Sequence, residues 1–334
     1  MLRSFAHLSH TERVDRLQHL GYAALRAYDL PGAQITPLRI FNNAVFQVDA
    51  RHGQRYVLRL HRPGYRSLSH TRSELRYLQI LRQDTGLAVP EPIYTRQGEL
   101  VTIIAGDGGD TSLHCDVLTW LDGTACGRAP DLGPRVVSQL GEVLGRMHLH
   151  AQHFVPPPGF DLPCWDADGL FTSVSPHKPG PIAGLFSPED ATLFAKTEAQ
   201  VRAVCHHLGH DAAQCGIIHA DFILINCQFA HGGVQVLDFD DCGFGYFLYD
   251  ICPLLGNLKT SAQYATLLRA FLAGYRSVRP LDPEHEVHID VLIAARHAIT
   301  ILWAAGVQQN GGMSPQDLAG HITYRMQEVR RHLA

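Results

Sequence analysis

Hydrophobic positions recur along this chain with a period that changes beyond residue 120. From residue 10 to about 28, Val14, Leu17, Leu20, Ala24 and Leu25 return at helical steps, the stripe of an amphipathic helix, and Pro31 with Gly32 ends it. In FNNAVFQVDARHGQRYVLRL the pattern is strand-like. Val45, Phe46 and Val48 precede the turn His52-Gly53, and Tyr56, Val57, Leu58 and Leu60 follow it. Pro63 and Gly64 close that hairpin. A helix is expected over about 67–84, with Leu68, Leu75, Leu78 and Leu81 inward. The runs ELVTIIA and CDVLTWL read as two more strands joined by GDGGDTS.

Gly123 to Pro134 is rich in Gly and Pro and reads as a linker. Beyond it the pattern is helical over about 135–153, 188–209, 247–258, 262–277, 284–306 and 315–332, interrupted by a strand pair around 226–238. Strands first and helices later predict an α+β chain of two lobes, residues 1–121 and 122–334, with a cleft between them.

Composition narrows the classes. With 334 residues the chain can bury a sizeable core. A net charge of −4 argues against partners held by bulk positive charge, so neither nucleic acid nor an acidic membrane is expected. The opening MLRSFAHLSHTERVDRL has no continuous apolar core, and no signal peptide is read there. VLIAARHAITILWAAGV is strongly apolar, but Arg296 and His297 inside it favour a buried helix over a membrane span. The cysteines form no CxxC pair, which fits reduced thiols and a cytoplasmic protein. Histidines crowd two helix ends, as His148, His150 and His153 and as His206, His207 and His210. His206 and His210 have metal-compatible spacing but no acid between them as in a zinc-protease helix, so solvated helix faces are the simpler reading.

The chemistry concentrates in GIIHADFILINCQFAHGGVQVLDFDD. Here His219, Asp221 and Asn226 stand in an apolar run, and a Gly-Gly turn returns the chain to Asp238 at the end of VQVLD. A hairpin would bring Asp221, Asn226 and Asp238 to one rim. Carboxylates and an amide oxygen are hard ligands suited to Mg²⁺. Phosphoryl transfer from ATP needs this set: one Asp to accept the hydroxyl proton, an Asn and a second Asp to hold the metal. H-x-D-x-x-x-x-N matches a kinase catalytic loop, and Asp238-Phe239 matches the start of D-F-G. A buried Asp/Asn hydrogen-bond network is the bland alternative. Phe222, Leu224 and Ile225 are expected to anchor the loop while Asp221 and Asn226 face the cleft.

On these residues the chain resembles the aminoglycoside phosphotransferase-like kinases. That group also holds choline, homoserine and methylthioribose kinases and a bacterial stress-response Ser/Thr kinase. Its loop usually reads H-G-D-L-H-x-x-N, then D-F-x-D; here it is His219-Ala220-Asp221-Phe222-Ile223-Leu224-Ile225-Asn226, then Asp238-Phe239-Asp240-Asp241. The resemblance covers nearly the whole chain. It implies a protein-kinase-like bilobal fold, with a small β-sheet lobe carrying a helix and a mostly helical lobe. It also implies an ATP cleft, Mg²⁺ and a hydroxyl acceptor. Arg59 in YVLRL falls where the family's phosphate-binding cation stands, and Glu74 where its helix acid pairs with that cation.

Three departures mark this chain. Ile223 replaces a frequent second His, Arg59 replaces the commoner Lys, and Asp240 replaces the Gly of D-F-G. No glycine-rich loop is present; Asn42 and Asn43 fit either a bend over phosphates or a plain hairpin entry. LTWLDG (118–123) stands where backbone groups would take adenine, with Trp120 as possible core. Asp241 fits a role steadying the loop or the metal, and Asp250 is read as bonding the catalytic loop. Trp165, Asp166 and Asp168 in the loop 156–171 fit either substrate contacts or an exposed connector. Asp282, Glu284, Glu286 and Asp290 read as a helix start.

The expected mechanism follows. Arg59, held by Glu74, neutralises ATP phosphates; Asn226 and Asp238 hold Mg²⁺; Asp221 takes the acceptor's proton; His219 shapes the loop. The acceptor is a small molecule, the alternative being protein Ser/Thr. A non-catalytic nucleotide-binding protein and a zinc hydrolase are the remaining rivals. Oligomeric state is left open by the sequence.

Overall fold

The computed structural model describes residues 9–40, 43–105, 112–128, 132–177, 180, 182, 184–310 and 312–333. The chain divides into two compact units, Met1–Gln83 with Val89–Asp122, and Asp84–Ala88 with Gly123–Ala334.

The first unit starts with α1 (His10–Leu25), whose capping box pairs the Ser9 hydroxyl with Glu12 N–H and the Glu12 carboxylate with Ser9 N–H. Strands β1 (Gln34–Ile40), β2 (Asn43–Asp49), β3 (Arg55–His61), β4 (Thr102–Ala105) and β5 (Ser112–Thr119) form one antiparallel sheet in the order β1-β2-β3-β5-β4. Helix α2 (Leu68–Thr85) lies between β3 and β4 in the chain. The expected turn is present: His52 and Gly53 both adopt positive φ, which lets β2 reverse into β3. Strand alternation then sorts the side chains. Leu58, Leu60, Cys115 and Val117 join Leu20, Ala24 and Tyr28 in the core, while Arg59, His61 and Asp116 point to the opposite face.

Strand β1 has no counterpart among the sequence expectations. Pro37 interrupts QITPLRI, and its register shifts between Pro37 and Arg39. At the end of the sheet order, a strand tolerates a proline and a bulge that an inner strand would not.

The second unit is mostly helical. Its helices are α3 (Pro134–His153), α4 (Ala167–Phe171), α5 (Pro188–Leu208), α6 (Phe247–Leu258), α7 (Tyr264–Arg276), α8 (Ile289–Gln309) and α9 (Pro315–Leu333). Helices α3 and α7 touch backbone to backbone. A Cβ at Gly141 would stand 2.1 Å from Phe271 O, and one at Gly274 only 1.9 Å from Ser138 O, so both positions need glycine. The expected helix from 284 is shorter. Pro283–His288 is a 3₁₀ turn capped by the Asp282 carboxylate on Glu284 N–H, and α8 begins after it. Together the turn and α8, Pro283–Gln309, are long and apolar enough to cross a membrane, yet 78% of their most apolar stretch is buried inside the protein, as in a core helix.

Two three-stranded sheets complete this unit. One is β10-β9-β6, from β6 (Thr124–Ala125), β9 (Cys227–Ala230) and β10 (Gly233–Val236). The other is β7-β11-β8, from β7 (Cys164–Trp165), β8 (Cys215–Ile218) and β11 (Gly243–Tyr246). The β9–β10 hairpin matches the expected strand pair. The strands CGII and GFGY are four residues each and glycine-containing, too weak a pattern to read.

Candidate active site

Strand β8 delivers the chain to His219, and the hairpin β9–β10 returns it to Asp238. His219 is fully buried. Its Nε2 bonds Leu237 O at 2.9 Å and its Nδ1 accepts from Asp221 N–H at 3.3 Å, which fixes the Nε2–H tautomer. It thereby ties the loop to the strand end beside Asp238, as expected of a loop-shaping residue. Asp250 in α6 holds the same loop: its carboxylate accepts from His219 N–H (2.8 Å) and Ala220 N–H (2.7 Å). Behind it, His148 Nε2 bonds Asp250 at 3.0 Å and His148 Nδ1 bonds the Tyr275 hydroxyl at 2.8 Å. Burial lowers the His148 pKa, so a neutral imidazole passes one hydrogen bond along the chain from tyrosine to carboxylate.

Ala220 takes φ 63°. This is the left-handed region that a glycine would occupy without strain, and here Asp250 on its N–H keeps an alanine there.

Asp221 is held at both carboxylate oxygens. Asn226 Nδ2 donates to Oδ2 at 2.8 Å and to the Asp221 carbonyl at 3.0 Å; Arg296, from α8, donates to Oδ1. With its nitrogen committed to two acceptors, Asn226 keeps its carbonyl oxygen as the atom that could ligate a metal. Burial pushes the Asp221 carboxyl up to about 6; Arg296 opposes this, while Asp241 and Asp238 add to it. Asp238 has left-handed backbone (φ 60°) and leads into the 3₁₀ turn Phe239–Asp241. The 4.7 Å contact of Phe239 with the His219 ring and the 2.8 Å bond from Trp165 Nε1 to Asp241 O fix that turn. An amide oxygen and clustered carboxylates are a donor set that fits Mg²⁺.

In the first unit Arg59 is buried between two carboxylates. Its Nη1 bonds Glu74 of α2 at 2.7 Å and its Nε bonds Asp116 of β5 at 2.9 Å. The Arg59–Glu74 pairing expected from sequence is therefore made within this unit. His61 Nε2 meets the other Asp116 oxygen at 2.5 Å. Asn43 is buried at the start of β2, and its Oδ1 accepts from Arg62 N–H at 3.4 Å; Asn42 lies outside the described residues. Trp120 is half-buried, with its indole N–H on Asp122 and the Arg55 guanidinium 5.2 Å from its ring.

Residues 34–281 match the model of the phosphotransferase enzyme family. The chain belongs to this family. Amicoumacin kinase of Bacillus subtilis (strain 168) is 25% identical over 84% of this chain and 82% of its own. A homoserine kinase of Polaromonas naphthalenivorans (strain CJ2) is 25% identical over 87% and 88%. Among solved structures, the microcompartment-associated aminopropanol kinase superposes with TM-score 0.80 at 24% identity, covering 96% of this chain and 97% of that one. An amicoumacin kinase in complex with AMP-PNP, Ca²⁺ and Ami gives 0.78 at 22%, covering 97% and 96%. The fold is thus protein-kinase-like, with a small sheet-and-helix unit and a mostly helical one.

Several side chains of this phosphotransferase differ from their sequence reading. Ile225 does not anchor the loop but is 63% exposed, because the 3₁₀ turn Leu224–Asn226 rotates it outward as Asn226 turns in; Phe222 is the buried anchor. Trp165 is no exposed connector: it is fully buried and bonded to the Asp241 turn. Asp166 caps α4 through Gly169 N–H, and Asp168 pairs with Arg202. His148 is not on a solvated face but is buried against Asp250. Among the described residues, one His/Glu group could hold a metal by proximity: His297, Glu328 and His332. Arg325 stands 3.0 Å from His297 Nδ1 and Arg331 pairs with Glu328, so guanidinium groups already serve two of its three donors. We read it as structural.

Arg296 and Asp116 carried no site assignment at the sequence level. Arg296 lies beyond the matched family span. The available signal was a lone cation in an apolar helix, which must find a partner when buried. Asp116 in CDVLTWL was likewise a carboxylate in a core-like strand.

Proposed function

We propose that this phosphotransferase moves the γ-phosphoryl group of ATP, with Mg²⁺, to the hydroxyl of a small molecule in the cytoplasm. The observation that carries the reading is the fixed Asp221 carboxylate. Asn226 and Arg296 each hold one oxygen, and Asp250 and His219 hold the backbone beneath it. A base so held keeps its aim while an acceptor hydroxyl approaches, the pre-orientation that phosphoryl transfer relies on. The kinases this chain resembles support a small acceptor: amicoumacin, homoserine and aminopropanol kinases.

Asp221 orients the acceptor hydroxyl and takes its proton. Asn226 Oδ1 and Asp238 would hold Mg²⁺, which when bound supplies positive charge against the phosphates. Arg59, braced by Glu74, neutralises the α and β phosphates. Backbone groups of 118–123 take adenine, and Asn43 borders the nucleotide.

The test is release of ADP from MgATP across a panel of amino alcohols, hydroxy amino acids, sugars, aminoglycosides and generic proteins. Stimulation by one small-molecule class supports the reading. Phosphorylation of protein alone, or no MgATP binding, contradicts it.

A further inference from the structure

The first unit answers a question raised by its sequence: why an arginine stands where the family more often has lysine. Arg59 and Asp116 are direct partners across β3 and β5. On the same face, a connected set of polar groups leaves α2 at Thr71 and returns to it one turn later at Glu74. Thr71 of α2 bonds His114 Nε2 at 3.1 Å, and His114 stacks on His61 at 4.6 Å. His61 bonds Asp116, Asp116 bonds Arg59 Nε, and Arg59 Nη1 bonds Glu74, again on α2. Thr71, His61, Asp116, Glu74 and Arg59 are all buried.

We propose that Asp116 is a positioning residue for the phosphate-binding cation, and that its presence makes arginine obligatory at position 59. The proposal rests on the reading of Arg59 given above. A guanidinium is a planar fork of five N–H donors whose Nε and Nη1 edges can face two carboxylates at once. A lysine ammonium is a single point charge. Placed between Glu74 and Asp116 it would settle between the two acids and be drawn away from phosphate. Burial would raise the Asp116 carboxyl, but Arg59 and His61 outweigh it and hold it at about 2, so the second acid is a standing charge. His61 takes one Asp116 oxygen, which fixes the carboxylate plane and aims the other oxygen at Arg59 Nε.

The effect of removing the Asp116 charge should therefore change sign with the residue at 59. Calorimetric affinities for MgATP and for adenosine test it without knowledge of the acceptor, using the full chain. Arg59→Ala should weaken MgATP but not adenosine. Asp116→Asn should weaken MgATP about tenfold, as for one charge-assisted hydrogen bond, with adenosine unchanged. Arg59→Lys should be similarly weak, and Arg59→Lys with Asp116→Asn should bind MgATP more tightly than Arg59→Lys alone. A normal Asp116→Asn beside an impaired Arg59→Ala would overturn the proposal and leave the phosphate role of Arg59 intact. Loss of adenosine affinity in Asp116→Asn, or a double variant weaker than Arg59→Lys, would also overturn it. Wild-type MgATP affinity in Arg59→Ala would overturn the phosphate role itself and the proposal with it.

Discussion

Arg296 and Asp221 form an ion pair across 75 residues of chain, the helix α8 guanidinium on one oxygen of the loop carboxylate. Both side chains are largely buried, and Asp221 also feels the charges of Asp238 and Asp241. A carboxylate in such company needs a cation to stay oriented and charged. Arg296→Gln should therefore lower the turnover number about 100-fold with little change in the KM for ATP, and Arg296→Lys should fall between. In an Asp221→Asn background the same change should cost nothing more. Steady-state kinetics of the four variants check it; independent, additive losses would show that Arg296 does not act through Asp221.

Asp250 serves three donors with two oxygens: His219 N–H, Ala220 N–H and His148. Asn at this position offers one acceptor oxygen and presents an N–H₂ group to donors. Asp250→Asn should destabilise the protein by about 3 kcal/mol in urea unfolding and abolish turnover through the loop. A loss under 0.5 kcal/mol, roughly that of a surface change, would contradict the bonding scheme.

Ala220 is buried with φ 63°. Ala220→Gly relieves the backbone and removes one methyl, effects that nearly cancel, so stability should stay within about 1 kcal/mol. Ala220→Val puts a branched side chain into the same conformation and should cost about 2 kcal/mol or more. Thermal and urea unfolding of the pair distinguish a backbone effect from simple sensitivity of the site.

His297 is buried among Arg325, His332, Arg296 and Arg331, with Glu328 close by. Burial first, and then the neighbouring guanidinium groups with Arg325 foremost, push its pKa down to about 3. The folded state thus holds it neutral, while the unfolded chain protonates it near 6.5. The associated stability is fully present above that value and is lost as pH falls from about 6.5 toward 3. His297→Gln should flatten the fall in melting temperature between pH 7 and pH 5; an unchanged slope would assign acid sensitivity to other groups.

Much of this architecture was legible because long periodic segments and short motifs speak locally. Helices α3, α5, α6, α7 and α9 lie close to where their stripes put them, and the β9–β10 hairpin follows from its Gly-Gly turn. The H-x-D-x-x-x-x-N motif put Asp221 and Asn226 at one rim, and the structure bonds the two at 2.8 Å. What escaped was either too short or non-local. Strands β8 and β11 carry four residues each, and β1 hides behind Pro37. Arg296, His148 and Asp116 acquire meaning only from partners far along the chain, which no window of sequence contains.

The most direct measurement compares wild type with Asp221→Asn, the change that removes the base and keeps its shape. The account predicts MgATP affinity near wild type and acceptor-stimulated phosphoryl transfer lowered about 1,000-fold or more. Transfer at the wild-type rate in Asp221→Asn would contradict the role of Asp221 and, with it, the mechanism proposed for this protein.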